Sequence, residues 1–208
     1  TWKLNKSVNG KVVEYNYQTV FDALIFYDDD YIMYNYNLTG GSLPKYYNST
    51  YVTSIKNQGN GGNCWSFATL ATLESCILKA SGENLDLSEE NMKNLAALYS
   101  IYGWNYETND GGYDDVALGY LASWLGPVYE SEDTYNPQST LSPVLDSFMH
   151  VQNVLYLKRD NFTDNDMIKR AILDYGAVYS PVYMNCHNDD NIGDYVYNNG
   201  TDRPNHAI

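Results

Sequence analysis

Basic side chains are scarce in this chain. Its 208 residues carry 26 Asp and Glu against 12 Lys and Arg, a formal net charge of −14. Nucleic-acid binding needs clustered Lys and Arg to meet phosphates, and no such cluster occurs. The same deficit argues against an anionic membrane surface. Long apolar runs are lacking too. The best are short pieces such as Ala23 to Phe26, far below the length of a bilayer span. Histidine is limited to His150, His187 and His206, and cysteine to Cys64, Cys76 and Cys186. Three thiols cannot all pair internally, so one stays free, which in an exported protein suggests a reactive role. The chain starts at Thr1 with no signal-like segment, so any targeting segment is expected to have been removed or to lie outside this stretch.

Aromatic residues, by contrast, are plentiful: 15% of the chain, including 22 Tyr, within a hydrophobic content of 44%. Long disorder is therefore not expected. The length suits one domain, or one domain built in two halves. N-x-S/T sequons at Asn5, Asn37, Asn48, Asn161 and Asn199, with an acidic, Tyr- and Asn-rich composition, point to an extracellular or cell-surface location.

Residues 1–42 read as a lead-in or linker with β character; Tyr31 to Asn37 alternates apolar and polar, and Gly40-Gly41 ends it. Gln58-Gly-Asn-Gly-Gly-Asn63 is a loop. From Cys64, the residues Phe67, Ala68, Leu70, Ala71, Leu73, Ile77 and Leu78 recur at helical spacing, with Asn63 as N-cap and Gly82 as stop. Ser88 caps a second short helix through Met92, Leu95 and Leu98. Gly111-Gly112 makes a turn. A third helix spans about Asp115 to Leu125 and is closed by Gly126-Pro127. Val151 to Leu157 reads as a strand. Thr163 or Asp164 caps a helix through Met167, Ile168, Ala171 and Ile172 that Gly176 ends. Ala177 to Met184 and Tyr195 to Tyr197 read as further strands. This order predicts an α+β fold, with a helical half over about 64–150, a β-rich half over about 151–208, and a cleft between them.

A Cys in the first turn of a helix lies among unsatisfied N–H groups and the positive end of the helix dipole, which favour thiolate over thiol. It then needs a base, for which three histidines are available, and donors for a developing oxyanion. Gln58, across the glycine-rich loop, could offer its side-chain amide beside the Cys64 backbone N–H.

Lys56-Asn-Gln-Gly-Asn-Gly-Gly-Asn-Cys-Trp-Ser-Phe-Ala68 closely resembles the nucleophile segment of papain-like cysteine peptidases. Four further segments resemble that family in the same order: Leu87-Ser-Glu-Glu-Asn91, Gly111-Gly112-Tyr113, Gly176-Ala-Val178 and Asn205-His-Ala-Ile208. His206 follows Cys64 by about 140 residues, inside the interval of roughly 130–150 typical of the family. The resemblance covers about residues 43–208. It implies a papain-like fold, with Cys64 as nucleophile, His206 as its base and Gln58 as oxyanion donor. Gly62, in the nucleophile loop, and Gly111 and Gly112, which match the loop that pairs with substrate backbone, are implied as substrate-binding residues. It also implies chemistry with no metal and no organic cofactor, on a peptide, protein or cell-wall peptide substrate. The family's imidazole-orienting Asn has no counterpart up to Ile208, so the domain is expected to be truncated after the base and to belong to a larger polypeptide. Gly61 stands where the family often has a disulfide cysteine. The Tyr-rich lead-in and acidic composition are similar to papain-like domains of adhesin-like surface proteins of methanogenic archaea.

Two other functions stay open at this level: a non-catalytic papain-like binding or adhesion module, and a transamidase in which an amine resolves the acyl-enzyme. Cys76 falls on the apolar side of its helix as a buried thiol. A Cys76–Cys186 disulfide would leave Cys64 free. Cys186-His187 lacks a second ligand pair for a metal. The clusters Asp28–Asp30, Asp164–Asp166 and Asp189-Asp190 lack calcium-loop spacing and read as solvated charge.

Overall fold

Helix α1 (Cys64–Ser81) is the axis around which the rest packs. The computed structural model describes residues 3–8, 11–16, 24–26, 41–157, 163–183 and 203–208. Periodicity predicts one apolar face for α1. Instead it is buried almost all round, from Trp65 and Ser66 to Cys76 and Ile77. Its polar residues tolerate this because their hydroxyls bond back to the helix: Thr69 to the Trp65 carbonyl (2.7 Å) and Thr72 to that of Ala68 (2.8 Å). Gly82 ends the helix in the left-handed conformation, its N–H donating to the Leu78 carbonyl.

Helix α2 (Glu89–Leu95) begins as expected, with the Ser88 hydroxyl accepting from the Asn91 N–H at 3.0 Å. It ends before Leu98, and the backbone then folds into turns. Every residue of α2 is buried, including Glu89, Glu90 and Lys93. Buried charge is costly unless paired and hydrogen-bonded. Lys93 accordingly donates to Glu90 (2.7 Å) and to the carbonyls of Asn136 and Ser139. Burial still lowers the Lys93 pKa, against the opposing pull of Glu90.

Helix α3 (Asp114–Ala122) stops three residues before the Leu125 expected from sequence, and the Gly126-Pro127 peptide lies beyond its end. Strand β1 (Lys3–Val8) pairs antiparallel with β2 (Lys11–Asn16). Strand β3 (Leu24–Phe26) pairs in parallel with β4 (Val154–Tyr156), so a piece of the lead-in joins the strand that opens the β-rich half. Helix α4 (Asp166–Tyr175) starts after Asn165, not after Thr163 or Asp164. The long strand expected over Ala177 to Met184 is reduced to β5 (Pro181–Val182), paired antiparallel with β6 (His206–Ala207). The alternation at Tyr31 to Asn37, the strand at Tyr195 to Tyr197, and Cys186 with its possible partnership to Cys76 lie outside the described residues.

One core joins α1, α2 and α3 through Trp65, Leu70, Leu73, Met92, Tyr120 and Leu121, and reaches Tyr179 and Ala207 of the β-rich half. A second, smaller cluster joins Cys76 to Leu157, Ala171 and Tyr175. Both clusters tie the halves together across α1. Among the described residues no helix is long and apolar enough to cross a membrane.

Candidate active site

Cys64 is the first residue of α1 and is half-buried. Asn63 occupies the N-cap position but does not cap with its side chain. Its amide instead donates to Asn109 (2.8 Å) and to the Tyr135 hydroxyl (3.1 Å). The Asn63 carbonyl starts the helix, accepting from the N–H groups of Ser66 and Phe67 and from the Ser66 hydroxyl. The expected cap is therefore corrected: with no side-chain cap, the helix terminus beside Cys64 is left to act on an anion.

The loop 109–113 is pressed against this start. The Gly62 N–H donates to the Asn109 carbonyl at 3.2 Å, and a Cβ on Gly62 would come within 2.5 Å of that oxygen. A Cβ on Gly112 would meet the Trp65 indole at 2.5 Å. Gly111 has φ +96° and open space around it, so backbone conformation requires glycine there. The glycines thus let a loop lie close to Cys64, with Trp65, fully buried, as its support.

Gly62, Cys64, Gly111, Gly112, Tyr179 and His206 line one cleft of about 530 Å³. β6 carries His206 to it, half-buried and held by backbone pairing: Asn205 N–H to Val182 O (3.0 Å) and a reciprocal pair between Ser180 and Ile208. Cys64 also borders a second cavity of about 490 Å³, whose lining includes Gln58, Lys56, Glu74 and Glu89. Gln58 and Cys64 thus share this second cavity, whose lining does not include Gly111. Its Nε2 donates to the Gly61 carbonyl (2.9 Å), which leaves the second amide hydrogen for another acceptor, and its backbone carbonyl accepts from the Tyr135 hydroxyl (2.8 Å). His150 does not line the cleft; it stacks on Trp124 with centroids 4.2 Å apart. His187 lies outside the described residues.

Sequence reasoning missed the charged network beneath Gln58. Lys56, inside the nucleophile motif, bonds Glu74 (3.2 Å), Asp86 (2.8 Å), Glu89 (2.9 Å) and the Leu87 carbonyl (2.7 Å). Desolvation opposes the Lys56 cation, but the carboxylates of Glu89, Asp86 and Glu74 outweigh it and hold its pKa above the ordinary lysine value. Burial pushes the Glu89 carboxyl up to about 8, against the pull of Lys56. Spacing within the motif carries no sign that Lys56 would be buried. Burial also raises the Tyr179 and Tyr106 hydroxyls, with smaller contributions from Asp114, Cys64 and Asp115 at Tyr179 and from Asp115 at Tyr106.

Comparison with known proteins shows a family. A family model described as papain family cysteine protease matches residues 44–207. Pro-cathepsin H of Mus musculus is 31% identical over 140 residues, which is 63% of this chain and 36% of that protein. Pro-cathepsin H of Medicago truncatula is 31% identical over 121 residues, 58% of this chain and 33% of that protein. The chain therefore spans about a third of the length of these curated relatives. The solved structure of digestive procathepsin L 3 of Tenebrio molitor larval midgut superposes with a TM-score of 0.50 at 23% identity, over 75% of this chain and 48% of that one, a likeness of fold.

Proposed function

Because the chain belongs to the papain family of cysteine proteases, we propose that it hydrolyses peptide bonds in protein or cell-wall peptide substrates through Cys64 and His206. The observation that carries this reading is the convergence of Cys64, at an N-terminus without a side-chain cap, and His206, on β6, onto one cleft bordered by Gly111 and Gly112. In the proposed cycle His206 takes the thiol proton and Cys64 Sγ attacks the scissile carbonyl carbon. The Cys64 N–H and the Gln58 amide stabilise the oxyanion. His206 then gives its proton to the departing amine, which leaves a thioester. Water adds to the thioester with His206 as base, releasing the carboxylic acid and restoring Cys64. The chemistry draws on side chains of this chain and water. An extracellular or cell-surface setting is supported by the exposed sequon residue Asn48 and the acidic composition.

The test is hydrolysis of a quenched peptide library by wild type and Cys64→Ala, with mass analysis of products. We expect loss of at least about 10⁴-fold in the variant, the scale seen when a nucleophile is removed. Products carrying an added amine in place of water would identify a transamidase. Undiminished hydrolysis by Cys64→Ala would sink the proposed mechanism.

A further inference from the structure

The wall of the cleft opposite β6 has a charge pattern that the protease reading does not use. From Asn94 to Leu157 the sequence contains no Lys or Arg, yet it includes Glu107, Asp110, Asp114 and Asp115 around the cleft loop. Asp110 lines the cleft and is exposed, alongside Cys64 and His206. Asp115, exposed in the first turn of α3, acts electrostatically on two cleft-lining tyrosines, Tyr106 and Tyr179. The nearby lysines cannot neutralise this wall. Lys56 lines the other cavity and is engaged by Glu74, Asp86 and Glu89, and Lys93 is enclosed with Glu90. Apolar surface accompanies the charge: Tyr113 is 73% exposed and Trp104 51%. Tyr106 borders the cleft, and its buried hydroxyl has no partner among the described residues.

We propose that the cleft selects polypeptides bearing a Lys or Arg side chain in the stretch that lies along Gly111 and Gly112, with Asp110 and Asp115 as specificity-determining residues. This rests on the protease reading and names the substrate class of the same site. The methylene stem of a Lys or Arg lies well on an aromatic face while its cation stays at a carboxylate. An acidic side chain at the same place meets like charge from Asp110 and Asp115. The carboxylates are exposed, so their selectivity is moderate and sensitive to salt.

The experiment uses the full-length polypeptide and quenched peptides identical except for one residue (Lys, Arg, norleucine or Glu) placed in turn at each position around a scissile bond. Wild type is read by kcat/KM, and Cys64→Ala by Kd for the same peptides. At one position we expect Lys and Arg to exceed norleucine by about tenfold, with Glu the poorest. The Asp110→Asn/Asp115→Asn double substitution should lower the Lys-to-norleucine ratio by about fivefold or more. Raising ionic strength from about 0.1 M to about 1 M, which shortens screening from about 10 Å to about 3 Å, should lower the wild-type ratio without any substitution. Cys64-dependent hydrolysis with no basic preference, or a preference that survives both substitutions and salt, overturns this inference and leaves the protease reading intact. Basic-selective binding by Cys64→Ala with no wild-type hydrolysis overturns the protease reading and retains the selectivity. Neither hydrolysis nor selective binding overturns both.

Discussion

The two walls of the cleft are built by different means. On the nucleophile wall, side chains hold the backbone: Asn63 and Tyr135 brace Asn109 and Gln58, Trp65 supports Gly112, and Lys56 joins the segment before the loop to Glu74 of α1 and Glu89 of α2. On the base wall, backbone pairing dominates. His206 is carried by a ladder of two-residue strands, and one side chain adds a pin: the Ala177 N–H ahead of β5 donates to the Ser75 hydroxyl of α1 at 2.9 Å. The lesson is one of means. Cys64 is placed by side chains that reach it from distant segments, Asn109 and Tyr135 among them, whereas His206 is placed by strand pairing between the nearer Pro181–Val182 and His206–Ala207.

The largest expected effect tests whether the Lys56 network holds the nucleophile wall. Lys56→Met leaves the buried Glu74 carboxylate without its cation. It should cost about 3–5 kcal/mol in urea unfolding, the cost of breaking a buried pair from one side. A loss below about 1 kcal/mol would mean that this wall, like the other, rests on its backbone.

Gly112→Ala comes next. The added Cβ would meet the buried Trp65 indole, so about 1–3 kcal/mol of destabilisation is expected from overpacking. Alkylation of Cys64 should change in the same variant, since the pressed loop and the start of α1 share Trp65. If stability falls while Cys64 reactivity is unchanged, the loop and the nucleophile are independent parts.

The smallest effect, read at about pH 5, concerns Glu89. Its folded pKa of about 8 lies above the ordinary 4.5, so the native state holds a proton that the unfolded chain releases. The stability from that proton is fully present below about pH 4.5 and is lost as pH rises toward about 8. Glu89→Gln, which keeps the shape without the charge, should be nearly neutral at pH 5 and should flatten the decline between pH 5 and pH 8 in thermal unfolding. A decline of unchanged slope would assign that pH dependence to other groups.

Much of the helical half was legible in sequence because its signals are local. Cys64 in a first turn, Gly82 as a stop and Ser88 as a cap each depend on residues within one helical turn, and each stands where expected. The helix ends at Leu98 and Leu125 were misjudged because apolar residues continue past the last helical turn, where the chain is already committed to other contacts. The Asn63 cap failed for a related reason. Asn109 and Tyr135, distant in sequence, offered its amide better partners than the helix did.

By itself the sequence determined the α+β order, the motif set and the identities of Cys64, Gln58, Gly62, Gly111, Gly112 and His206 as the groups worth locating. Only tertiary structure decided that Cys64 and His206 share one cleft while Gln58 and Cys64 share a second cavity. It also decided that Glu89, Glu90 and Lys93 are enclosed and that Asp110 faces the cleft. The physical reason is that propensity and capping act over a few residues. Burial, pairing and the field around a charge depend on which distant segments close over it.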